Sequence, residues 1–266
     1  MDPGRRRSDP RQSDSHPQSK TEDTCRGLTA IGTALLLDLG RRSYAETWEL
    51  QRALHAEVAA GERDVWIAVE HAPVVTIGRQ GKTNSLLVPR ETLLARGVEV
   101  HEIERGGDVT YHGPGQVVIY PIMRLPRFRE IVPLVRKLEE AAIGACARYG
   151  VTAERWSAHA GAWVGNNCIC AIGLAVQKMT SLHGLALNAS TVLDYDRMIN
   201  PCGLIDRGIT SLSHETGRLV SYDEAKTVLL EELSRVFDVT FVTGVIPSEA
   251  NGVEGERETE DRRKAS

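Results

Sequence analysis

The glycine-rich stretch at residues 105–121, RGGDVTYHGPGQVVIYP, constrains the fold of this chain more than any other segment. Glycine has no Cβ, so the backbone can turn tightly there and approach a ligand closely. Arg105, Tyr111 and His112 add side chains of the kind that loops use for binding. Residues 117–120 are β-branched or aromatic and predict a strand. The stretch is interpreted as a binding loop that leads into a strand, with a purely structural tight loop as the alternative.

Strand and helix patterns alternate on both sides of this stretch. Ser43 and Glu46 form a capping box before a helical run that Gly61 closes, and residues 131–149 carry apolar side chains on one helical face. The predicted strands are residues 65–69, 74–77, 98–103, 117–120, 162–164, 169–176 and 182–187. Such interleaving predicts an α/β fold of the α+β kind, in which helices pack on a mixed sheet.

Composition excludes several classes of protein. The net charge of −4 leaves no basic excess to neutralise phosphates, which argues against nucleic-acid binding. No apolar run approaches the roughly 18 residues of a membrane span. Five cysteines without a framework spacing are typical of reduced thiols in a cytoplasm, and Cys168 and Cys170 are too close in sequence for the usual zinc site. We therefore expect a cytoplasmic protein with no metal, no membrane partner and no nucleic-acid partner.

The two ends of the chain differ from its middle. Residues 1–26 and 246–266 are polar and lack apolar periodicity, which predicts two disordered tails. Residues 27–245 between them form the predicted folded domain, which is long enough to bury a substantial core.

Four sequence blocks resemble, in the same order, the octanoyltransferases of lipoate biosynthesis. They are residues 70–82, 105–121, 173–188 and 199–213. This family moves an octanoyl group from acyl carrier protein to a lysine of lipoyl domains, in 2-oxoacid dehydrogenases and in the glycine cleavage H protein. The resemblance implies the catalytic-domain fold of biotin and lipoate protein ligases, and an acyltransferase that needs no cofactor. A monomer is expected.

The resemblance also implies a catalytic residue, Cys202, which matches the family's acyl-thioester cysteine. From the residues alone, a buried small hydrophobic group is the alternative. A free thiol is mostly protonated at neutral pH, so a nucleophilic cysteine benefits from a base or a positive neighbour. The substrate-contacting positions that match the family are Arg105, Gly106, Gly107, Asp108, Val109, Thr110, Tyr111, His112, Ala171, Ile172, Gly173, Gly184, Leu185 and Ala186.

Three histidines lie in or near these blocks. His112 and His183 are interpreted either as structural groups hydrogen-bonded to backbone, or as groups that orient the thioester or assist proton transfer. His71 lies in a turn and could support the loop instead, and its role is left open.

One position departs from the family. Where the family has a lysine that lowers the pKa of the catalytic cysteine, this chain has Cys168. Alternation along a strand predicts that position 168 shares a face with Cys170 and Ile172. A neutral thiol cannot replace an ammonium as a charge partner. The pKa of Cys202 should therefore be higher than in the family. Each pKa unit of increase corresponds to about 1.4 kcal/mol of lost thiolate stabilisation.

Three interpretations of this departure are open. Another group, such as Lys178, His112 or His183, supplies the activation; or the enzyme is slow; or the chain binds acyl donor or lipoyl domain without turnover. We favour retained activity, because the glycine-rich stretch, both histidines and Cys202 still match the family. The rival with the same fold is an ATP-dependent lipoate-protein ligase, which would need an adenylating site.

Overall fold

A computed structural model describes residues 32–81, 85–193, 198–199 and 207–244. Cys202, the predicted nucleophile, lies outside the described residues, as do the predicted tails at 1–26 and 246–266. No helix in these ranges is both long enough and apolar enough to cross a membrane.

The described chain alternates strands and helices. The strands are β1 (Gly32–Arg42), β2 (Val65–His71), β3 (Val74–Ile77), β4 (Glu99–Glu102), β5 (Val109–His112), β6 (Gln116–Ile122), β7 (Glu154–Trp156), β8 (His159–Val164), β9 (Asn167–Gln177), β10 (Thr180–Asn188), β11 (Gly208–Ile209) and β12 (Val239–Thr243). The helices are α1 (Tyr44–Ala60), α2 (Arg90–Ala95), α3 (Ile131–Arg148), α4 (Leu212–Thr216) and α5 (Tyr222–Phe237), with a 3₁₀ turn at Phe128–Glu130.

Two sheets organise these elements. Within the described residues, the larger sheet has nine strands in the order β12-β1-β2-β6-β10-β9-β8-β7, with β11 paired to β9. It is mixed, because β1 runs parallel to β12 and β2 whereas β6 runs antiparallel to β2 and β10. The smaller sheet has the order β4-β3-β5. The predicted α+β fold with a mixed sheet is confirmed.

The large sheet is covered on both faces, and strand β6 shows how. Val117 and Ile119 pack into the cluster beneath α3 and α5, whereas Val118, Tyr120 and Ile122 pack into the cluster beneath α1. Alternate side chains of a strand point to opposite faces, so a strand buried on both faces is apolar throughout. All seven residues of β6 are buried. Tyr120 of this central strand lines the site described below.

Local signals place the helix ends as predicted. The Ser43 hydroxyl accepts a hydrogen bond from the Glu46 N–H at 3.3 Å, and Gly61 ends α1 in the left-handed conformation with φ 115°. The helix predicted at residues 131–149 is α3, and Leu134 and Leu138 lie on its buried face.

The predicted binding loop is partly a strand. Residues 109–112 form β5, which pairs antiparallel with β3. Val109 and Tyr111 are buried in the core of the small sheet, while Thr110 and His112 face the other way. The alternation of apolar and polar residues in Val-Thr-Tyr-His indicates a strand, although the flanking glycines favour a loop. The interpretation of the segment before residue 117 as a loop is therefore wrong for residues 109–112.

Candidate functional site

One pocket of about 340 Å³ lies between the two sheets and α3, and we call it the main pocket. Twelve of the fourteen predicted substrate-contacting residues line it: Arg105, Gly106, Gly107, Asp108, Thr110, His112, Ala171, Ile172, Gly173, Gly184, Leu185 and Ala186. They come from three separate sequence blocks. The fold therefore brings these blocks together around one cavity.

Val109 and Tyr111 are the two exceptions. Both lie on the opposite face of β5 and line a second, smaller cavity of about 40 Å³, which we call the side pocket. The two cavities adjoin, because Thr110, Ala171 and Ala186 line both. Strand alternation explains the split, since a strand cannot present five consecutive side chains to one cavity.

Arg105 braces one wall of the main pocket. Its Nη2 donates to the Thr76 carbonyl at 2.7 Å, and its Nη1 donates to the Gly106 carbonyl at 3.0 Å. The Gly106 N–H donates to the Leu174 carbonyl at 2.8 Å, which joins the glycine-rich stretch to β9. A Cβ on Gly173 would lie only 3.1 Å from the Arg105 Cδ. Glycine at position 173 thus lets the arginine lie flat against β9.

His112 is held by a chain of hydrogen bonds. Its Nδ1 lies 2.7 Å from the Gln116 Oε1, and the Gln116 amide donates to the Asn188 Oδ1 at 2.9 Å. The Asn188 amide donates to the Thr210 carbonyl at 3.0 Å. The Gln116 oxygen must accept, so Nδ1 bears the proton and Nε2 keeps its lone pair. Burial, the largest cause, lowers the pKa of His112 to about 3, so the ring is neutral.

His71 supports Tyr120, which also lines the main pocket. Its Nδ1 lies 3.2 Å from the Arg42 carbonyl, so this nitrogen donates, and its Nε2 accepts from the Tyr120 hydroxyl at 2.9 Å. Burial lowers the pKa of His71 to about 4. The role left open for His71 is thus that of a buried neutral acceptor behind the pocket wall.

His183 lies in the pocket wall with a backbone conformation that is rare for a side-chain-bearing residue, φ 61°. Its N–H donates to the Gln51 Oε1 at 2.9 Å. Its Nε2 lies 3.7 Å from the Glu104 Oε2, an electrostatic contact that is longer than a hydrogen bond. The pKa of Glu104 is lowered to about 2, and the neighbouring His183 imidazole is the largest cause. Burial lowers the pKa of His183 itself.

These buried neutral histidines predict that the protein loses stability as the pH falls from 7 to 5. The ordinary histidine pKa is 6.5, but the folded values for His71 and His112 are about 4 and 3. Below pH 6.5 the unfolded chain therefore takes up protons that the folded chain refuses, which favours unfolding. We expect each of the two to lower the free energy of unfolding by roughly 2 kcal/mol between pH 7 and pH 5.

Urea unfolding at pH 7, 6 and 5 measures this slope. His71→Asn should reduce the pH dependence by its share, whereas the exposed His214→Asn should leave it as in the parent. An unfolding free energy that is flat over this range in the parent would contradict the assignment of neutral buried rings.

Cys168 and Ala171 both line the side pocket. This position corrects the prediction of which face of β9 Cys168 occupies. It does not share a face with Cys170, which is buried in the core of the large sheet. Trp163 pairs with Cys168, but Ala162 pairs with Cys170, so β9 has one extra residue at this point. Such a β-bulge reverses the alternation of side chains. The predicted common face is wrong for Cys168, whereas Cys170 and Ile172 both pack against the core of the large sheet, as predicted.

Arg207 is a cation that the sequence reasoning missed. It lines the side pocket with Cys168, and its guanidinium carbon lies 3.7 Å from the ring centre of Trp156 and 5.6 Å from that of Trp163. Stacking on aromatic faces holds the charge in place. No local signal marks this arginine, because both tryptophans are more than forty residues earlier in the sequence.

The groups proposed to replace the family lysine fare differently. Lys178 lies beyond the end of β9, ten residues from Cys168 along an extended strand, which is roughly 30 Å away. Lys178 is therefore far from the position at which the family has its lysine. His112 and His183 line the main pocket but are buried, and burial favours their neutral forms. A neutral ring can accept a hydrogen bond from a neighbour, but it does not supply a fixed positive charge.

The main pocket also contains side chains that no motif predicted. Tyr44 and Tyr120 line it, and α3 contributes Ile131 and Val135. The tip of the β7–β8 hairpin, residues 158–160, forms a further part of the wall. In the described ranges, no group of three or more His, Cys, Asp or Glu side chains is arranged to hold a metal ion.

Solved structures share this fold. The bipartite lipoate protein ligase of Thermoplasma acidophilum superposes with a TM-score of 0.68 at 17% identity, over 82% of this chain and 89% of that chain. LipL1 of P. falciparum, in complex with lipoate, superposes with a TM-score of 0.58 at 12% identity, over 78% and 66%. The fold is thus that of a lipoate-ligase-type catalytic domain.

Sequence relatives narrow the assignment. Residues 43–234 match the family of the lipoyl protein ligase A/B catalytic domain. The octanoyltransferase of Caldicellulosiruptor saccharolyticus is 43% identical over 74% of this chain and 86% of its own length. That of Nitratidesulfovibrio vulgaris is 41% identical over 79% and 97%. The chain belongs to the lipoyl protein ligase A/B family and, within it, to the octanoyltransferases. It is an acyltransferase.

Proposed function

We propose that this protein transfers an octanoyl group from octanoyl-acyl carrier protein to a lysine of lipoyl domains, through an acyl-thioester on Cys202. The acceptors are the lipoyl domains of 2-oxoacid dehydrogenases and the glycine cleavage H protein, and the protein acts as a cytoplasmic monomer. The main pocket is the observation on which the proposal depends. It combines aliphatic side chains suited to an acyl chain with buried polar groups suited to a carbonyl.

The chemistry requires two exchanges at one carbonyl. The Cys202 thiolate attacks the donor thioester, the bond from the carbonyl carbon to the carrier sulfur breaks, and the carrier thiolate leaves and takes up a proton. A lysine amine then attacks the acyl-enzyme and the bond to the Cys202 sulfur breaks. The nitrogen loses a proton as the amide forms, and the Cys202 thiolate is released. The first exchange is nearly isoenergetic and the second is downhill, so the reaction needs no ATP.

Two features of the pocket bear on these steps. Developing charge on the carbonyl oxygen needs hydrogen-bond donors, and backbone N–H groups of the glycine-rich stretch are candidates. The Gly106 N–H is not one of them, because it already donates to Leu174. His112 offers a neutral Nε2 that can accept a hydrogen bond and so orient the substrate.

The side pocket supports the part assigned to Cys202. In the sequence Cys202 lies three residues after Ile199 and five before Arg207, and both of these residues line the side pocket. The cavity that the nucleophile's flanking residues line therefore adjoins the cavity that we assign to the acyl chain. Arg207 would then provide a positive charge in the region where Cys168 replaces the family lysine.

A second candidate function follows from Cys168. Without the lysine, the chain could be an impaired homologue that binds the acyl donor or a lipoyl domain without turnover. The lipoate-ligase fold adds a further rival, the ATP-dependent activation of free lipoate or octanoate.

One assay separates the three functions. Purified protein is mixed with octanoyl-acyl carrier protein and apo lipoyl domain without ATP, and the lipoyl domain is weighed by intact-protein mass spectrometry. We expect one octanoyl group per lipoyl domain. Modification only with free octanoate and ATP would identify a ligase, and a complex without modification in either mixture would identify a binding protein. Both results would overturn the proposal.

A further inference from the structure

A buried carboxylate on α3 has no part in the chemistry above. The Glu139 side chain is fully buried, and both of its carboxyl oxygens accept hydrogen bonds. Its Oε2 accepts from the Arg136 Nη1 at 2.7 Å and from the Arg155 Nε at 3.1 Å, and its Oε1 accepts the Gly161 N–H at 3.2 Å. Burial of a charge is costly unless it is paired and hydrogen-bonded, as here.

Two of these partners belong to the β7–β8 hairpin. Arg155 lies on β7 and Gly161 on β8, and Trp156 pairs with His159 between them. Arg155 is joined to α3 at two further points, because its Nη2 donates to the Glu140 carboxylate and to the Arg136 carbonyl. The hairpin is thus held against α3 by directional contacts centred on Glu139.

The same parts of α3 and the hairpin form the main pocket. Ile131, Val135 and Glu139 follow each other at i, i+4 spacing, so they lie on one face of α3. The first two line the pocket, and residues 158–160 at the hairpin tip line it as well. Glu139 therefore joins two elements that both contribute to the pocket wall.

We propose that Glu139 and Arg155 are positioning residues that set the width of the main pocket and thereby the length of acyl chain it accepts. This inference rests on the proposed function, in which the pocket holds the acyl chain. One methylene more or less in an apolar pocket changes specificity by about 10- to 200-fold, so a small movement of the wall is measurable. Aliphatic contacts alone slide easily, whereas a charged pair with defined geometry holds one separation.

The test compares acyl donors of different length. Glu139→Gln keeps an acceptor for the Gly161 N–H but no longer attracts the Arg155 guanidinium. We expect the ratio of kcat/KM for decanoyl donor over octanoyl donor to rise about tenfold, because the hairpin moves away from α3. Arg155→Gln should shift the ratio in the same direction, and Arg155→Lys should shift it less.

A matched control lies on the same helix. Arg148 of α3 pairs with Glu231 and Glu232 of α5, so Arg148→Gln removes an ion pair that does not contact the hairpin. It should leave the acyl ratio unchanged. The proposal is wrong if folded Glu139→Gln keeps the parent ratio, or if Arg148→Gln shifts the ratio equally.

A binding measurement keeps this test apart from the proposed function. The affinities of octanoate and decanoate for the parent and for Glu139→Gln are measured by titration calorimetry, which requires no turnover. If the parent transfers no acyl group, the transfer function fails. The role of Glu139 in setting the pocket width is then judged by binding alone. We expect the decanoate-to-octanoate affinity ratio to rise about tenfold in the variant, and an unchanged ratio would contradict that role.

Discussion

Cys202→Ala is expected to form no acyl-enzyme and to lose octanoyl transfer by about a thousandfold or more. Alanine removes the sulfur that would hold the octanoyl group between donor and acceptor. Intact-protein mass spectrometry after mixing with octanoyl-acyl carrier protein measures the effect. The parent should gain the mass of one octanoyl group in a hydroxylamine-labile bond, and should lose it when apo lipoyl domain is added.

Cys170→Ala is the matched control for this loss. Its thiol is buried in the core, and burial raises the pKa of Cys170 well above its ordinary value, so it is no nucleophile. This variant should still form the adduct. An adduct on Cys202→Ala would refute the assignment of the nucleophile.

If the parent also forms no adduct, Cys168→Lys tests whether the missing lysine is the reason. If restoring the family lysine produces the adduct, the missing charge had silenced the thiol. If the adduct forms in the parent but not in Arg207→Gln, the activating charge is Arg207. Each unit by which the Cys202 pKa rises should lower the thiolate fraction at neutral pH about tenfold.

Gly184→Ala is expected to destabilise the fold by more than about 4 kcal/mol, a loss of the class that accompanies severe overpacking. A Cβ at position 184 would overlap the Ile119 carbonyl oxygen and lie 2.7 Å from the Pro121 Cδ. Both are parts of the central strand β6, which is buried on both faces and cannot move aside. Because Gly184 also lines the main pocket, transfer activity should fall with the folded fraction.

Chemical unfolding of Gly184→Ala beside Gly32→Ala checks this prediction. Gly32 is also a strand residue, but a Cβ there meets only the Asp238 carbonyl oxygen at 3.8 Å, an ordinary contact. The control should remain within about 0.5 kcal/mol of the parent. A Gly184→Ala protein as stable as the control would show that β10 can shift away from β6.

Several elements were predictable because their signals are local. The Ser43 cap, the closing Gly61 and the apolar face of α3 each depend on residues within one or a few helical turns. The conformations follow from backbone sterics and hydrogen bonds that the segment supplies itself. The meeting of the predicted substrate-contacting residues around one pocket is not a local feature, because it requires three separated sequence blocks to come together. Its prediction depended on a family resemblance rather than on spacing.

Other features depended on contacts that no window of sequence contains. The bulge opposite Trp163 moved Cys168 to the face of Ala171, although simple alternation predicted the face of Cys170. Strand β5 needed β3 as a partner before the Val-Thr-Tyr-His alternation had any meaning.

The sequence by itself determined where α1 begins and ends, which face of α3 is apolar, and where glycines let the backbone turn tightly. Only the tertiary structure decided which residues surround the main pocket, that Arg207 lies on two tryptophans beside Cys168, and that Glu139 joins α3 to the β7–β8 hairpin. The reason is physical. Local conformation follows from sterics within a few residues, whereas a pocket's shape and charge arise where distant segments exclude water together.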